Sequence, residues 1–335
     1  MDSITHIVFG AATGEILLGR RLGNKAMLLG ALGANLPDID MVYNLFSNDV
    51  IKNLVVHRSY THAIFVQLIF AALLACFFRK RNKADISFRL WYGFWSFLLV
   101  THSLLDCCTT YGTQLFLPFT NKLIALNNLS IIDPLYTIPF LIIFVIGIFF
   151  KRSNPLRRKF IWTSIGLSCF YLMLTFAIKW DIDKKFKESL AGNNIHYVEL
   201  NTTPTILNSI LWSAIAIEDS VIYTAEYSYL KPQMPIQWNG FSRNQDELKK
   251  YDSKSLRTIT WFSDENYFMR EIPGDTLEFY NIKWGRSQFD STNPDSAFIF
   301  YWKFYFDKNE VKYKEVRTDW KFKVLFRRLM NRIGI

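Results

Sequence analysis

The hydrophobic pattern divides the chain near residue 180. Residues 4–19 and 26–36 are two apolar runs rich in small residues, the first closed by Arg20-Arg21 and the second by Pro37. Crossing a bilayer takes about 20 residues, so this pair predicts a hairpin that enters a membrane only part way. Gly10, Gly14, Gly30 and Gly33 would let its two helices pack closely. Four longer apolar runs follow at 60–78, 90–108, 131–150 and 160–178, and each predicts a full transmembrane helix. Residues 1–180 are thus expected to form a membrane α-helical bundle of four full spans plus an N-terminal half-hairpin.

From 181 to 335 the pattern turns polar and predicts a small soluble α+β domain with an antiparallel sheet. Two β-rich runs, 211–218 and 221–230, meet at Asp219-Ser220 as a hairpin would. Further strands are expected at 256–262, 276–284 and 297–306, and a short helix at 203–210 starting from Thr203-Pro204. The terminal W-K-F-K-V-L-F-R-R-L-M-N-R reads as a basic amphipathic helix, suited either to an anionic membrane surface or to plain solvation.

Charge sharpens this division. Residues 1–178 hold 16 Lys/Arg against 8 Asp/Glu, whereas the remainder holds 23 against 21. The basic excess sits between apolar runs, at 79–83 and 151–159, rather than over a solvated face. That argues against a nucleic-acid partner and for the positive-inside rule. With both basic loops cytoplasmic, the segment from 181 onward is expected to be extracytoplasmic. The four cysteines all lie before residue 178 in apolar segments with no C-x-x-C pair, so the polar half has no disulfide. The start M-D-S-I-T-H lacks a basic n-region, and no cleavable signal is expected.

Candidate chemistry concentrates in the first 106 residues. Four of the five histidines lie there, and three follow a threonine: Thr5-His6, Thr61-His62 and Thr101-His102. His102 and Asp106 are spaced i, i+4 and share a helix face. Ionisable groups in an apolar span are costly and mark function by default, although a structural His–Asp hydrogen bond would read the same way. His57, Arg58 and His62 stand at a loop-to-helix entry, and Asp38 and Asp40 follow Pro37. The predicted topology brings His6, Asp38, Asp40, His57, His62, His102 and Asp106 to one membrane face. Such a set suits a divalent metal, zinc or alternatively manganese, and is large enough for two ions about 3.5–4 Å apart. Asp40 is either a ligand or the general base. Arg58 would hold a phosphate or carboxylate, or else anchor the chain at the interface. No serine-hydrolase or nucleotide-binding motif stands in a suitable context.

The stretches M-D-S-I-T-H, G-A-L-G-A-N-L-P-D-I-D, H-R-S-Y-T-H and T-H-S-L-L-D-C-C-T-T-Y-G-T-Q-L-F-L-P-F resemble a bacterial inner-membrane family of metal-dependent hydrolases, also described as LexA-binding inner-membrane hydrolases. T-P-T-I-L-N-S-I-L-W at 203–212 resembles its longer members. The resemblance covers most of the chain. It implies a multi-pass protein of the bacterial inner membrane and a metal-dependent hydrolase, with the same seven His and Asp positions matching the motifs. A looser similarity, to zinc-dependent phospholipase C, lies in the use of a His/Asp cluster on helices.

The expected function is therefore a membrane-bound metal-dependent hydrolase, acting on a lipid or lipid-linked phosphate ester at the outer leaflet. Its partners would be membrane lipids and an amphiphilic substrate, with Tyr60, Tyr111 and Gln114 as further contacts. A non-enzymatic membrane scaffold with a structural metal, or a transporter with a His/Asp relay, would also use such residues.

Overall fold

A computed structural model describes residues 1–81, 85–286, 298–307, 310–316 and 322–335. The chain divides into two compact units, Met1–Phe176 and Ala177–Ile335.

In the first unit, helices α1 (Ser3–Leu22) and α2 (Asn24–Ala34) form a tight hairpin. A Cβ on Gly10 would stand 2.1 Å from the Gly30 carbonyl oxygen, and one on Gly30 1.9 Å from that of Gly10, so only glycine permits this approach. Pro37 then starts a 3-10 helix, Pro37–Leu45, followed by α3 (Val50–Val56) and a single 3-10 turn, Tyr60–His62. Helices α4 (Ile64–Arg81) and α5 (Phe88–Cys107) pack over Ala71, Ala75, Trp91, Phe94, Trp95 and Leu98, all buried. An irregular stretch leads to α6 (Pro134–Phe149), capped by the Asp133 side chain, and to α7 (Pro155–Gly192), within which the two units meet in sequence.

The four full spans expected from the sequence are not found among the described residues. Among the described residues only α7 is long and apolar enough to cross a membrane, or two spans exist if the bent pair Val50–His62 and Ile64–Arg81, 56° apart, counts as one. The reasons are local. The run at 60–78 opens on a 3-10 turn, and its helix begins only at Ile64. The run at 131–150 yields a helix of 16 residues, because Asp133 accepts from Leu135 N and fixes the start there. The run at 90–108 does give a 20-residue helix, but His102, Ser103 and Asp106 dilute its apolar character. Of the basic stretch 79–83, residues 82–83 lie outside the described residues.

Among its described residues the second unit holds two four-stranded antiparallel sheets where one was expected. Strands β1 (Glu199–Pro204), β2 (Leu211–Ile217), β3 (Val221–Ser228) and β4 (Asn239–Ser242) form the first, with Trp212 opposite Tyr227 in the β2–β3 hairpin. After α8 (Glu247–Lys250) and α9 (Lys254–Ser263) come β5 (Tyr267–Ile272), β6 (Thr276–Arg286), β7 (Phe298–Asp307) and β8 (Glu310–Val316), and then α10 (Phe322–Ile333). The strand expected at 256–262 is helix α9: Ser253 caps it, and Leu256, Ile259 and Phe262 recur at helical spacing on its buried face. The expected helix at 203–210 is instead the end of β1 and a turn, since Thr203 and Pro204 pair with Ser213 and Trp212. Ala297 of the expected strand 297–306, and Trp320 and Lys321 of the terminal helix, lie outside the described residues. Ile182 and Phe186 of α7 pack on Trp212, Ala214 and Ala225. Ile215, Ile217 and Ile222 meet Tyr280 and Ile282, which joins the two sheets.

Candidate metal centre

Five separate segments converge on one point of the first unit. α1 brings His6 and the 3-10 helix after Pro37 brings Asp38 and Asp40. His57 caps the C-terminus of α3, His62 ends the short 3-10 turn, and α5 presents His102 and Asp106 one turn apart.

Four donor atoms face each other at the centre: Asp38 Oδ1, His62 Nε2, His102 Nε2 and Asp106 Oδ2. His62 Nε2 lies 3.5 Å from Asp38 Oδ1 and 3.2 Å from Asp106 Oδ2. His102 Nε2 is 3.4 Å from each of the same two oxygens and 3.2 Å from His62 Nε2. Ligands bound 2.0–2.1 Å from a tetrahedral ion are separated by about 3.3–3.4 Å, the edge of that tetrahedron. The five distances match such edges, and all four donors lie within 4.8 Å of one another, so together they could hold a divalent ion. Asp106 Oδ2 supports the fit, being buried without a hydrogen-bond partner. A buried unsatisfied carboxylate oxygen is costly unless something of positive charge answers it.

The surrounding bonds set the imidazoles for this task. His102 Nδ1 lies 2.6 Å from the Ala34 carbonyl oxygen; a carbonyl can only accept, so Nδ1 carries the proton and Nε2 keeps its lone pair. His62 Nδ1 is 3.0 Å from Thr61 Oγ1, and that hydroxyl donates at 2.8 Å to Asp40 Oδ2. His62 Nδ1–H therefore leans on a Thr–Asp chain, again freeing Nε2. Asp40 Oδ2 also accepts from Arg58 N at 3.0 Å, while Asp40 Oδ1 meets His57 Nδ1 at 3.0 Å. Burial alone would raise the carboxyls of Asp38 and Asp40. The neighbouring imidazoles, His102 and His62 beside Asp38 and His57 and His62 beside Asp40, outweigh it and hold both carboxyls well below the ordinary range.

All seven predicted His and Asp residues join this cluster, in different ways. His6 stacks on His102 with ring centroids 3.9 Å apart and stands 3.4 Å from Asp106 Oδ1, outside the four-donor set. Its Nε2 is buried without a hydrogen bond. Asp38, Asp40 and His57 form a second ligand group next to the first. Arg58 is buried. Its guanidinium donates to Asp106 Oδ1 at 3.1 Å, to the Asp106 carbonyl at 3.1 Å and to Thr109 Oγ1 at 2.9 Å, and it lies over the Tyr111 ring. The Met1 ammonium also sits on Asp106 Oδ1. Arg58 reaches this position through a left-handed backbone, φ 61°, unusual outside glycine. Gln114 donates to the Val55 carbonyl and Tyr111 to that of Leu54, bracing α3, while Tyr60 is largely exposed.

Sequence reasoning missed Thr61 as the link between His62 and Asp40. The recurrent Thr-His pairs were the visible signal. It also missed Gln67, buried on α4, which donates to the Thr61 carbonyl and to Ser103 Oγ of α5. Nothing in the apolar run around Gln67 marks it beyond its polarity.

Fold and site together define a helical unit with a buried His/Asp cluster able to hold a metal ion, followed by a unit of two antiparallel sheets. The profile of the YdjM inner membrane protein family matches residues 1–216, well over half of the chain and the whole of the cluster, and the chain belongs to that family. It is also similar to "Uncharacterized protein YfhP" of Bacillus subtilis (strain 168), 34% identical over 168 residues, 46% of this chain and 48% of that protein. The chain thus matches about half the length of this curated relative. No solved structure matches.

Proposed function

We propose that the protein is a membrane-bound, metal-dependent hydrolase of a lipid or lipid-linked phosphate ester. The observation that carries this reading is the four-donor cluster, whose spacing and tautomers suit a divalent ion, with zinc favoured by its imidazole nitrogens and manganese the alternative. A divalent ion held by the His/Asp cluster would supply Lewis-acid polarisation of a phosphoryl oxygen and would acidify water. The chain's own part is to fix the geometry. Ala34 and Thr61 orient the two imidazoles, Arg58 balances Asp106, and Asp40 holds both His57 and the Thr61 hydroxyl.

An amphiphilic substrate is supported by the apolar rim near these ligands. Ile39, Met41, Val42, Leu45 and Phe46 on and after the 3-10 helix are exposed, and Phe119 meets Phe65, at the start of α4, edge to face at 5.6 Å. In this reading α7 enters the inner membrane from its basic cytoplasmic end, Lys151 to Lys159, so the second unit is extracytoplasmic.

The test is phosphate release from phospholipid and lipid-diphosphate vesicles by the full chain, beside His102→Ala. Activity that depends on added Zn²⁺ or Mn²⁺ and is lost in the variant supports the proposal. Activity retained by a folded His102→Ala protein sinks it. A second reading, a structural ion that only staples the helices, draws on the closure of the four-donor set, since structural zinc sites fill all four positions with protein groups.

A further inference from the structure

We infer that the cluster is two unequal ion sites sharing Asp38: a closed inner site, and an open outer site made by Asp38, Asp40 and His57. This deepens the proposed function and rests on it. Two observations carry it. First, Asp38 is the one residue common to both ligand groups. It stands between a buried side, where His62, His102 and Asp106 are 0%, 0% and 1% exposed, and an accessible side, where His57 is 18% exposed. Asp38 is itself 16% exposed. Second, the lone pairs of Asp40 are divided. Oδ2 is consumed by Thr61 and by the Arg58 backbone, leaving Oδ1 turned to His57 on the accessible side.

The inner site offers four protein donors and no vacancy, which is how a structural ion is held. The outer site offers three donors and leaves coordination positions to solvent, as catalytic sites do. The two readings given above are thereby divided between two ions. The inner ion locks the Pro37–Leu45 3-10 helix to the Tyr60–His62 turn and α5, and the outer ion is the one that meets a substrate oxyanion. Three donors at an accessible position bind more weakly than four buried ones, so the ions load in order. The bridging carboxylate couples them.

The test uses the full chain in detergent, stripped of metal and titrated with Zn²⁺ by calorimetry, then with Mn²⁺ under electron paramagnetic resonance. Two equivalents are expected, the second at least tenfold weaker. His57→Ala and the gentler His57→Gln should keep the first equivalent at unchanged affinity and lose the second, whereas Asp38→Asn should weaken both at least tenfold. Two bound Mn²⁺ should show an exchange-coupled spectrum in the wild type and an isolated-ion spectrum in His57→Gln. A single equivalent in the wild type, lost in His102→Ala, would overturn the outer site and leave the inner one standing. Two equivalents persisting in both His57 variants, or two uncoupled Mn²⁺ signals, would overturn it equally. No bound ion at all would remove the metal from the proposed function as well.

Discussion

Each unit buries a carboxylate, and the two are treated in opposite ways. In the second unit Glu278 of β6 is almost fully satisfied. Its Oε2 accepts from Arg270 Nε at 3.0 Å, Arg270 Nη2 at 2.8 Å and Tyr280 Oη at 2.7 Å, and Oε1 pairs with Lys303 at 2.9 Å. In the first unit Asp106 is answered on one side only. Oδ1 faces Arg58 and the Met1 ammonium, while Oδ2 faces two imidazole nitrogens and accepts no hydrogen bond. A carboxylate closed by cations cross-links a sheet. One left half-satisfied among imidazole nitrogens at ligand spacing is a set of donors that could hold a metal ion. Burial alone therefore does not mark a functional acid; incomplete satisfaction beside other ligand atoms does.

The contrast is broken most directly at Asp106. Asp106→Asn is expected to abolish ion uptake and to destabilise the first unit by about 3–5 kcal/mol, because Arg58 is left buried without its counter-charge. Metal content by mass spectrometry and thermal unfolding in detergent read the two effects, and an unchanged metal content would refute the assignment. Glu278→Ala should do the converse. It costs about 1–2 kcal/mol, reduced because Arg270 and Lys303 are partly exposed, and it leaves metal content untouched. Hydrogen exchange across β5–β7 of the full chain measures that loss, and a fall in metal content would show the two centres to be linked.

Thr61→Val sharpens the comparison within the first unit. His62 keeps its place but loses the hydroxyl that fixes its tautomer, so ion affinity should fall about tenfold, at the low end for such supporting residues, and return in Thr61→Ser. Calorimetric titration decides it; equal affinity in Thr61→Val would exclude a role for that hydroxyl. The smallest effect concerns pH. Burial alone would raise the Glu278 carboxyl, but hydrogen bonds from Tyr280, Lys303 and Arg270 outweigh it and hold it below its ordinary value. A lowered folded value means stability present above the unfolded pKa, about 4.3 for glutamate, and lost as the pH falls through the folded one. The protection of β6 amides, taken relative to their intrinsic exchange rates at each pH, should therefore fall several-fold on acidification below that point, and Glu278→Gln should flatten the response.

The sequence was legible where the signal is local. The small-residue faces of α1 and α2 and the β2–β3 hairpin depend on near neighbours and agree with the structure, whereas the terminal helix, expected on a membrane surface or in solvent, packs Leu329 and Ile333 against Leu211. The spans were not legible, because hydropathy counts apolar residues without knowing where a helix starts. Asp133 and the 3-10 turn at Tyr60–His62 shorten two of them. Residues 256–262 misled for a related reason, since a β-branched run gives way to an N-cap and a helical apolar stripe.

For the site, the sequence by itself determined the ligand inventory. Seven His and Asp side chains in otherwise apolar or uncharged surroundings are a matter of composition, and the i, i+4 spacing of His102 and Asp106 fixes one shared face. Only the tertiary structure decided how that inventory is used: which four atoms close a tetrahedron, that Asp38 belongs to both groups, that Thr61 and Ala34 set the tautomers, and that the Arg58 guanidinium is spent on Asp106. Those roles are distances between atoms on five separated segments, and a separation of a few tenths of an ångström is fixed by packing rather than by residue order.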